Sequence, residues 1–275
     1  MEFLCYNGTS ISYDAFRLEI DNRSFRYGDG LFESIKYFDG QPLLMPLHIN
    51  RLLKGMSVLC LDIDPRFEVE NLAQNIQDIV KANRINDTCR LRLSVFRESG
   101  GFYAPQKMGA SYIIECISMN DSNDGNGGVS LGVYEEIPKA INILSNLKTS
   151  NSLVFVLAGI YKNKNDFDDV VLMNEKGNIV ETISSNIFLV KDNEFSTPLL
   201  SEGCVEGVQR EHVIEKIKME GMLVTEKEIT MDKLKSADEV FLTNAIHGIS
   251  WVRKLDEKMY SNQKTSSLIK MINHP

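Results

Sequence analysis

The sequence predicts an α/β protein of two domains. Three observations carry that expectation. Segments with the two-residue period of strands alternate along the chain with segments of the 3.6-residue period of helices. One polar, glycine-rich stretch, "SMNDSNDGNGG" (118–128), interrupts them and reads as a linker. The 275 residues are 43% hydrophobic and 25% charged, which is enough apolar material for two modest cores. The expected division is a first domain over 1–117, a linker over 118–128 and a second domain over 129–275.

The first domain opens its regular structure with "FESIKYFDGQPLLM", two strands around an Asp39-Gly40 turn. "PLHINRLLKGMSVLCL" places Pro46 at a first helical position, where its missing N–H costs nothing, and then reads as a helix. "FEVENLAQNIQDIVKAN" is a second amphipathic helix. "CRLRLSVF" alternates strictly, with Cys89, Leu91, Leu93 and Val95 on one face and Arg90, Arg92 and Ser94 on the other. That is a half-buried strand, and "SYIIECIS" is its expected neighbour. Beyond the linker, strands are expected at 129–135 and 141–147 and a helix near 151–164. "DVVLMNEKGNIVET" gives strands around a Lys176-Gly177 turn, and "NIFLVKDNEF" follows. A helix near 206–220, a strand at "EVFLTN" and a carboxy-terminal helix complete the order.

Composition excludes several functions. A formal net charge of -8 disfavours nucleic acid or an anionic membrane as the main partner. The five cysteines (Cys5, Cys60, Cys89, Cys116, Cys204) are odd in number and none pair at CxxC spacing, so neither a disulfide framework nor a zinc site is expected. A reducing cytoplasm is the expected setting. The four histidines form no HExxH, and no metal is expected. The amino terminus lacks the pattern of a signal peptide, and no apolar run approaches the roughly 18 residues of a membrane span.

Several stretches carry chemistry. In "RSFRYGDGLFES", Gly28 and Gly30 mark either a hairpin bend or a close approach of backbone to a ligand. In "LHINRLLKG", His48 and Arg51 lie three apart on one helix face, either exposed or as a fork for a phosphate or carboxylate. Lys148, in "INILSNLKTSN", stands between an apolar run and a helix. It is either a stem that snorkels to water or a desolvated amine poised to attack a carbonyl. "SNLK" also matches the S-x-x-K of serine acyl transferases, although here the helix follows the lysine rather than containing it. Glu181 closes an apolar strand in "VETISSNIF". Gly207 opens a helix whose first N–H groups belong to Val208 and Gln209, and Asn244 ends a strand.

Taken in this order, "YGDGLFE", "HINR", "LKTSN", "ETISSNIF", "GVQR" and "EVFLTNA" resemble the fold-type-IV pyridoxal-phosphate enzymes. That family contains branched-chain and D-amino-acid aminotransferases and 4-amino-4-deoxychorismate lyase. The motifs span residues 27 to 245, nearly the whole chain. The resemblance implies a small α/β domain and a larger α/β pseudo-barrel domain with the cofactor between them, in a homodimer. It implies that Lys148 is the Schiff-base lysine, that Glu181 pairs with the pyridine nitrogen and that Arg51 reaches the phosphate. Val208, Gln209 and Asn244 complete the phosphate cup. Tyr27, Arg92 and Arg97 are the implied substrate contacts.

Two details lean towards the lyase, which releases 4-aminobenzoate and pyruvate. Asn244-Ala245 stands where the aminotransferases more often have Gly-Thr or Ser-Thr, and "RESGGFYAP" is similar to an Arg-x-Ser-Gly-Gly stretch of the lyases. The tyrosine that some branched-chain enzymes carry after the lysine-asparagine step is replaced by Ser152 and Leu153. The alternative is an amino-acid aminotransferase of branched-chain or D-amino-acid type. A catalytically inactive pyridoxal-phosphate-binding protein is a minor alternative, since every chemical role has a residue to fill it.

Overall fold

Strict alternation in the first domain produces an antiparallel sheet. A computed structural model of the chain describes residues 1–119 and 127–273. The chain begins with β1 (Phe3–Tyr6), β2 (Thr9–Ser12), a short helix α1 (Arg23–Tyr27), β3 (Gly30–Phe38) and β4 (Gln41–Pro42). Helices α2 (Met45–Val58) and α3 (Val69–Ala82) precede β5 (Cys89–Arg97) and β6 (Ala110–Ser118). The sheet order is β2-β1-β6-β5-β3-β4, with every pair antiparallel. Cys89, Leu91, Leu93 and Val95 are all fully buried, as their phase requires, and they pack with Leu52 and Met56 of α2 and Leu72 and Ile76 of α3. Asp39 and Gly40 both take positive φ in the expected turn. Gly55 of α2 has no room for a Cβ, which would stand 2.8 Å from Leu31, so helix and sheet approach closely.

The second sheet is built from β7 (Val129–Lys139), β8 (Asp169–Asn174), β9 (Ile179–Thr182), β10 (Asn186–Lys191), β11 (Glu194–Pro198), β12 (Val224–Lys227), β13 (Glu239–Asn244), β14 (Gly248–Leu255) and β15 (Lys258–Met259). Its order is β12-β11-β10-β13-β14-β7-β8-β9, with β15 on β14. Asn186 of β10 also pairs with Glu181 of β9, so the run from β10 through β13, β14, β7 and β8 to β9 closes on itself. Helices α4 (Leu153–Lys164), α5 (Val208–Met219), α6 (Met231–Ser236) and α7 (Gln263–Asn273) accompany it. Valines and isoleucines of the strands fill its cores, and Phe188 stacks on Phe241 with ring centroids 4.9 Å apart. The mixed α/β class and the larger ring-like domain agree with the fold expected from sequence.

By its contacts the chain divides into two compact units: Met1–Asn123 with Leu147–Asn151, and Asp124–Asn146 with Ser152–Pro275. The segment Leu147–Asn151 therefore belongs with the first unit rather than with a second domain running unbroken from 129. Phe32 N–H donates to Lys148 O at 2.9 Å, Ser150 N–H donates to Gly30 O at 2.9 Å, and Leu147 packs on the first core. Most of the expected linker, 120–126, lies outside the described residues. The strand expected at 141–147 is absent. β7 runs on to Lys139, and Asn142 and Ser145 then fold the chain into a turn. Leu144 N–H donates to Asn142 Oδ1 and Ser145 Oγ–H donates to Ala140 O, which leaves Ile143 74% exposed. The serine of the S-x-x-K match is thus spent on a turn and lies on no helix.

Candidate active site

The candidate residues form two groups, one in each unit. In the first unit, β3 faces two ways. Leu31, Glu33, Ile35 and Tyr37 point to the core, so a carboxylate sits in the apolar phase of the strand. It is balanced from α2. Arg51 Nε donates to Glu33 Oε1 at 2.9 Å, and Arg51 Nη2 donates to Oε2. His48 Nδ1 lies 2.7 Å from Oε2. Burial works to raise the Glu33 carboxyl, but the charge of Arg51 and the hydrogen bonds from His48 and Arg51 outweigh it and hold it at about 2. Burial lowers the His48 imidazole despite Glu33, so His48 is neutral near pH 7 and Nδ1 carries the donated hydrogen. The i, i+3 spacing read in "HINR" thus delivers both side chains to one buried carboxylate. Glu33 is a member of this buried cluster to which motif reading assigned no role. Its phase on the strand was the available signal, because a core-facing carboxylate demands a cation.

The opposite face of β3 carries Phe32. Lys148 Nζ lies 4.5 Å from its ring centroid and Arg92 Cζ lies 3.9 Å from the same centroid. The two cations are therefore no further apart than the sum of those distances. Arg92 reaches this position because it shares the non-core face of β5 with Ser94, whose hydroxyl accepts from Arg92 Nε at 3.2 Å. Gly30 admits the Lys148 segment. A Cβ on Gly30 would stand 2.6 Å from Val95 O and 3.2 Å from Ser150 Oγ. Gly28 ends α1 in the left-handed conformation, with φ 67°.

Arg97 has a different position. Its Nε and Nη2 donate to Asp29, Nη1 to Cys60 O and Met108 Sδ, and Nη2 also to Leu59 O. These contacts engage all five of its N–H groups. Asp29 also accepts from Arg23 Nε at 2.8 Å. Burial opposes the Asp29 charge, but Arg97 and Arg23 hold its carboxyl below the usual range. Arg97 is thus a brace between loops, and the geometry leaves no donor on it for a substrate carboxylate. Tyr27 packs against Tyr103 at 5.5 Å between ring centroids, with the Arg23 guanidinium over its ring at 4.9 Å.

In the second unit, Glu181 on β9 is buried. Its Oε2 accepts from Val205 N–H at 3.0 Å and its Oε1 is paired with Lys139 Nζ. Each carboxylate oxygen retains a lone pair that could take a further N–H. Gly207 is the N-cap of α5 and supplies no side-chain cap, so the leading N–H groups of Val208 and Gln209 point out of the helix uncapped. A Cβ on Gly207 would collide with Asn186 Oδ1, and Asn186 Nδ2 in turn donates to Val205 O at 2.8 Å. Asn244 uses its side chain locally. Its Oδ1 accepts from Ile246 N–H and His247 N–H, and its Nδ2 donates to Ser185 Oγ at 2.9 Å. Lys139 and Ser185 are the residues of this group that sequence reasoning did not find.

Each group by itself has features that suit a part of pyridoxal phosphate. An acceptor-only buried carboxylate fits a protonated ring nitrogen, and an uncapped helix start on a side-chain-free residue fits a phosphate dianion. A primary amine held over an aromatic ring fits an aldehyde. Among the described residues, no cluster of His, Cys, Asp and Glu could hold a metal ion, and no helix is long and apolar enough to cross a membrane.

Known proteins resemble this chain in both sequence and fold. The profile of the family described as "Amino-transferase class IV" matches residues 30–255. A Methanocaldococcus jannaschii protein, provisionally named a branched-chain-amino-acid aminotransferase, is 29% identical over 272 residues, covering 97% of this chain and 92% of its own. The aminodeoxychorismate lyase of Vibrio harveyi is 30% identical over 238 residues, covering 84% of each chain. The crystal structure of 4-amino-4-deoxychorismate lyase from Pseudomonas aeruginosa superposes with a TM-score of 0.87 at 28% identity, covering 98% of both chains.

Proposed function

We infer the chemistry from the family to which this chain belongs, the class IV amino-transferases: it is a pyridoxal-phosphate-dependent enzyme, and we propose that it is a 4-amino-4-deoxychorismate lyase. The observation that carries this reading is the Phe32 ring with Arg92 on it at 3.9 Å and Lys148 at 4.5 Å. An amine beside an aromatic face and a guanidinium suits a flat ring that bears a carboxylate. Arg92, rather than the fully engaged Arg97, would hold that carboxylate.

The bound cofactor supplies an electron sink for the carbon that carries the substrate's amino group. Lys148 would hold the cofactor's aldehyde through its Nζ, and that same amine would take the proton from the substrate carbon. Glu181 would face the ring nitrogen and accept its hydrogen. The Val208 and Gln209 N–H groups would hold the phosphate; Arg51, whose direction Glu33 fixes, is the charged side chain that the family resemblance assigns to it. Asn244 acts through Ser185, whose hydroxyl it orients. The enolpyruvyl group would leave with the electron pair of its bond to the ring carbon and take up the proton that Lys148 removed, giving pyruvate and a free amine, and the ring becomes aromatic.

An amino-acid aminotransferase is the second reading, favoured by the Methanocaldococcus jannaschii relative, which covers nearly the whole chain. Mixing the enzyme with aminodeoxychorismate, and separately with L- and D-amino acids, separates the two. The lyase forms 4-aminobenzoate and pyruvate with no keto acid consumed, and its cofactor spectrum returns unchanged after each turnover. Conversion to the pyridoxamine form by an amino acid, reversal by 2-oxoglutarate and no 4-aminobenzoate would overturn it.

The enzyme acts as a homodimer in this reading. Leu153, Val156, Leu157 and Ile160 follow i, i+3, i+4, i+7 spacing on α4, and each is at least 41% exposed. Such an apolar stripe suits a second copy of the chain. The five unpaired cysteines suit a reducing compartment such as the cytoplasm.

A further inference from the structure

Lys139 closes β7 after four exposed residues, yet it is itself buried. Its Nζ is paired with Glu181 Oε1, donates to Ser145 O at 3.2 Å and lies 5.3 Å from the Phe155 ring centroid. Both partners are nearly sealed from water, with side chains 11% and 4% exposed. A buried ammonium and carboxylate attract far more strongly than a surface pair. Glu181 would otherwise keep a single donor, the Val205 N–H. Nothing in the sequence motifs points to Lys139, which lies 42 positions before Glu181.

We propose that Lys139 is a positioning residue that keeps Glu181 ionised and so sets on which side of the Glu181–ring-nitrogen hydrogen bond the proton rests. The inference rests on the assignment of Glu181 to the ring nitrogen. The Lys139 charge lies directly on Glu181 Oε1, so a proton on that carboxyl would meet an adjacent positive charge. A proton is therefore repelled from the carboxyl and driven outward onto the ring nitrogen. Replacing the ammonium by a neutral group lets the proton fall back to Glu181, and the ring nitrogen becomes a neutral pyridine. The Ser145 carbonyl and the Phe155 ring hold the ammonium in place when the chain is without cofactor.

Two measurements test this. Holoenzyme is reconstituted with pyridoxal phosphate labelled with ¹⁵N in the ring, and the nitrogen resonance is recorded for wild type and for Lys139→Met, Lys139→Gln, Lys139→Arg and Glu181→Gln. Infrared difference spectra of the cofactor-free proteins then report the Glu181 carboxylate band, assigned by its loss in Glu181→Gln. Wild type and Lys139→Arg should show the protonated-nitrogen resonance and the carboxylate band. Lys139→Met and Lys139→Gln should move the resonance towards neutral pyridine and replace the carboxylate band by that of a protonated acid. Lys139→Gln keeps a donor for Glu181, so it covers the case in which Lys139→Met fails to fold. A Lys139→Gln protein with the wild-type resonance and band overturns the role of Lys139, provided Glu181→Gln moves the resonance. If Glu181→Gln does not move it, the assignment of Glu181 to the ring nitrogen falls, and the Lys139 proposal falls with it.

Discussion

Replacing Glu33 by glutamine removes one buried charge and little else, and its cost can be worked from the structure. The Glu33 carboxyl, ordinarily at 4.5, is held at about 2. Because the folded value lies below the unfolded one, the stabilisation is complete above pH 4.5 and is lost as the pH falls towards 2. A difference of that size stabilises the fold by about 3 kcal/mol at pH 7. Removing one partner of a buried ion pair costs about 3–5 kcal/mol in general, which is the same range. Urea denaturation followed by far-ultraviolet circular dichroism, for wild type and Glu33→Gln at pH 7 and at several pH values below 5, isolates the effect, since titrating groups that do not touch Glu33 cancel in the comparison. The gap should be about 3 kcal/mol at pH 7 and should shrink steadily below pH 4.5. A gap under about 1 kcal/mol at pH 7, the worth of an exposed pair, would refute the reasoning. So would a larger gap that stays constant down to pH 3.

Arg51→Ala should weaken pyridoxal phosphate binding roughly tenfold to a hundredfold, for a lost charged contact of about 1.5–3 kcal/mol, with a smaller effect on the saturated rate; unchanged affinity in a fluorescence titration removes Arg51 from the phosphate cup. Gly30→Ala pushes a methyl group against Val95 O and should cost about 1–3 kcal/mol, seen as a melting temperature several degrees lower; an unchanged melting temperature means β3 and β5 can part at no cost. Leu157→Lys with Ile160→Lys should convert a dimer to a monomer in sedimentation equilibrium, and a wild-type protein that is already monomeric at micromolar concentration contradicts the α4 interface.

Legibility in the sequence followed the range of the interaction. Period-two alternation placed Cys89, Leu91, Leu93 and Val95 in the core, and 3.6-residue periodicity found α2 and α3, because burial on one face is a local pattern. The run at 141–147 misled because Ile141, Ile143 and Leu144 look like a strand, while the Asn142 and Ser145 side chains close a turn that apolar content does not reveal. β14 was unreadable because only Val252 and Leu255 in it are buried. In the candidate site, Lys148, Arg51 and Glu181 came from ordered motifs rather than from periodicity. Glu33 could have been found from its phase on β3. The Lys139–Glu181 pair could not, since no local rule joins residues that far apart in the chain. Arg97 shows the opposite failure. A motif suggested a substrate contact, and only the structure shows its donors spent on Asp29 and on the carbonyls of Leu59 and Cys60.

The central claim is that Lys148 carries the cofactor. Borohydride reduction of the holoenzyme, followed by proteolysis and mass spectrometry, tests it most directly. The absorbance of the bound cofactor should bleach, and a single pyridoxyl adduct should map to the peptide containing Lys148, with none on Lys139 or elsewhere. The Lys148→Ala protein should keep its circular dichroism spectrum and yield no adduct. An adduct on another lysine of the wild-type enzyme, or none at all after full loading with pyridoxal phosphate, would contradict the account.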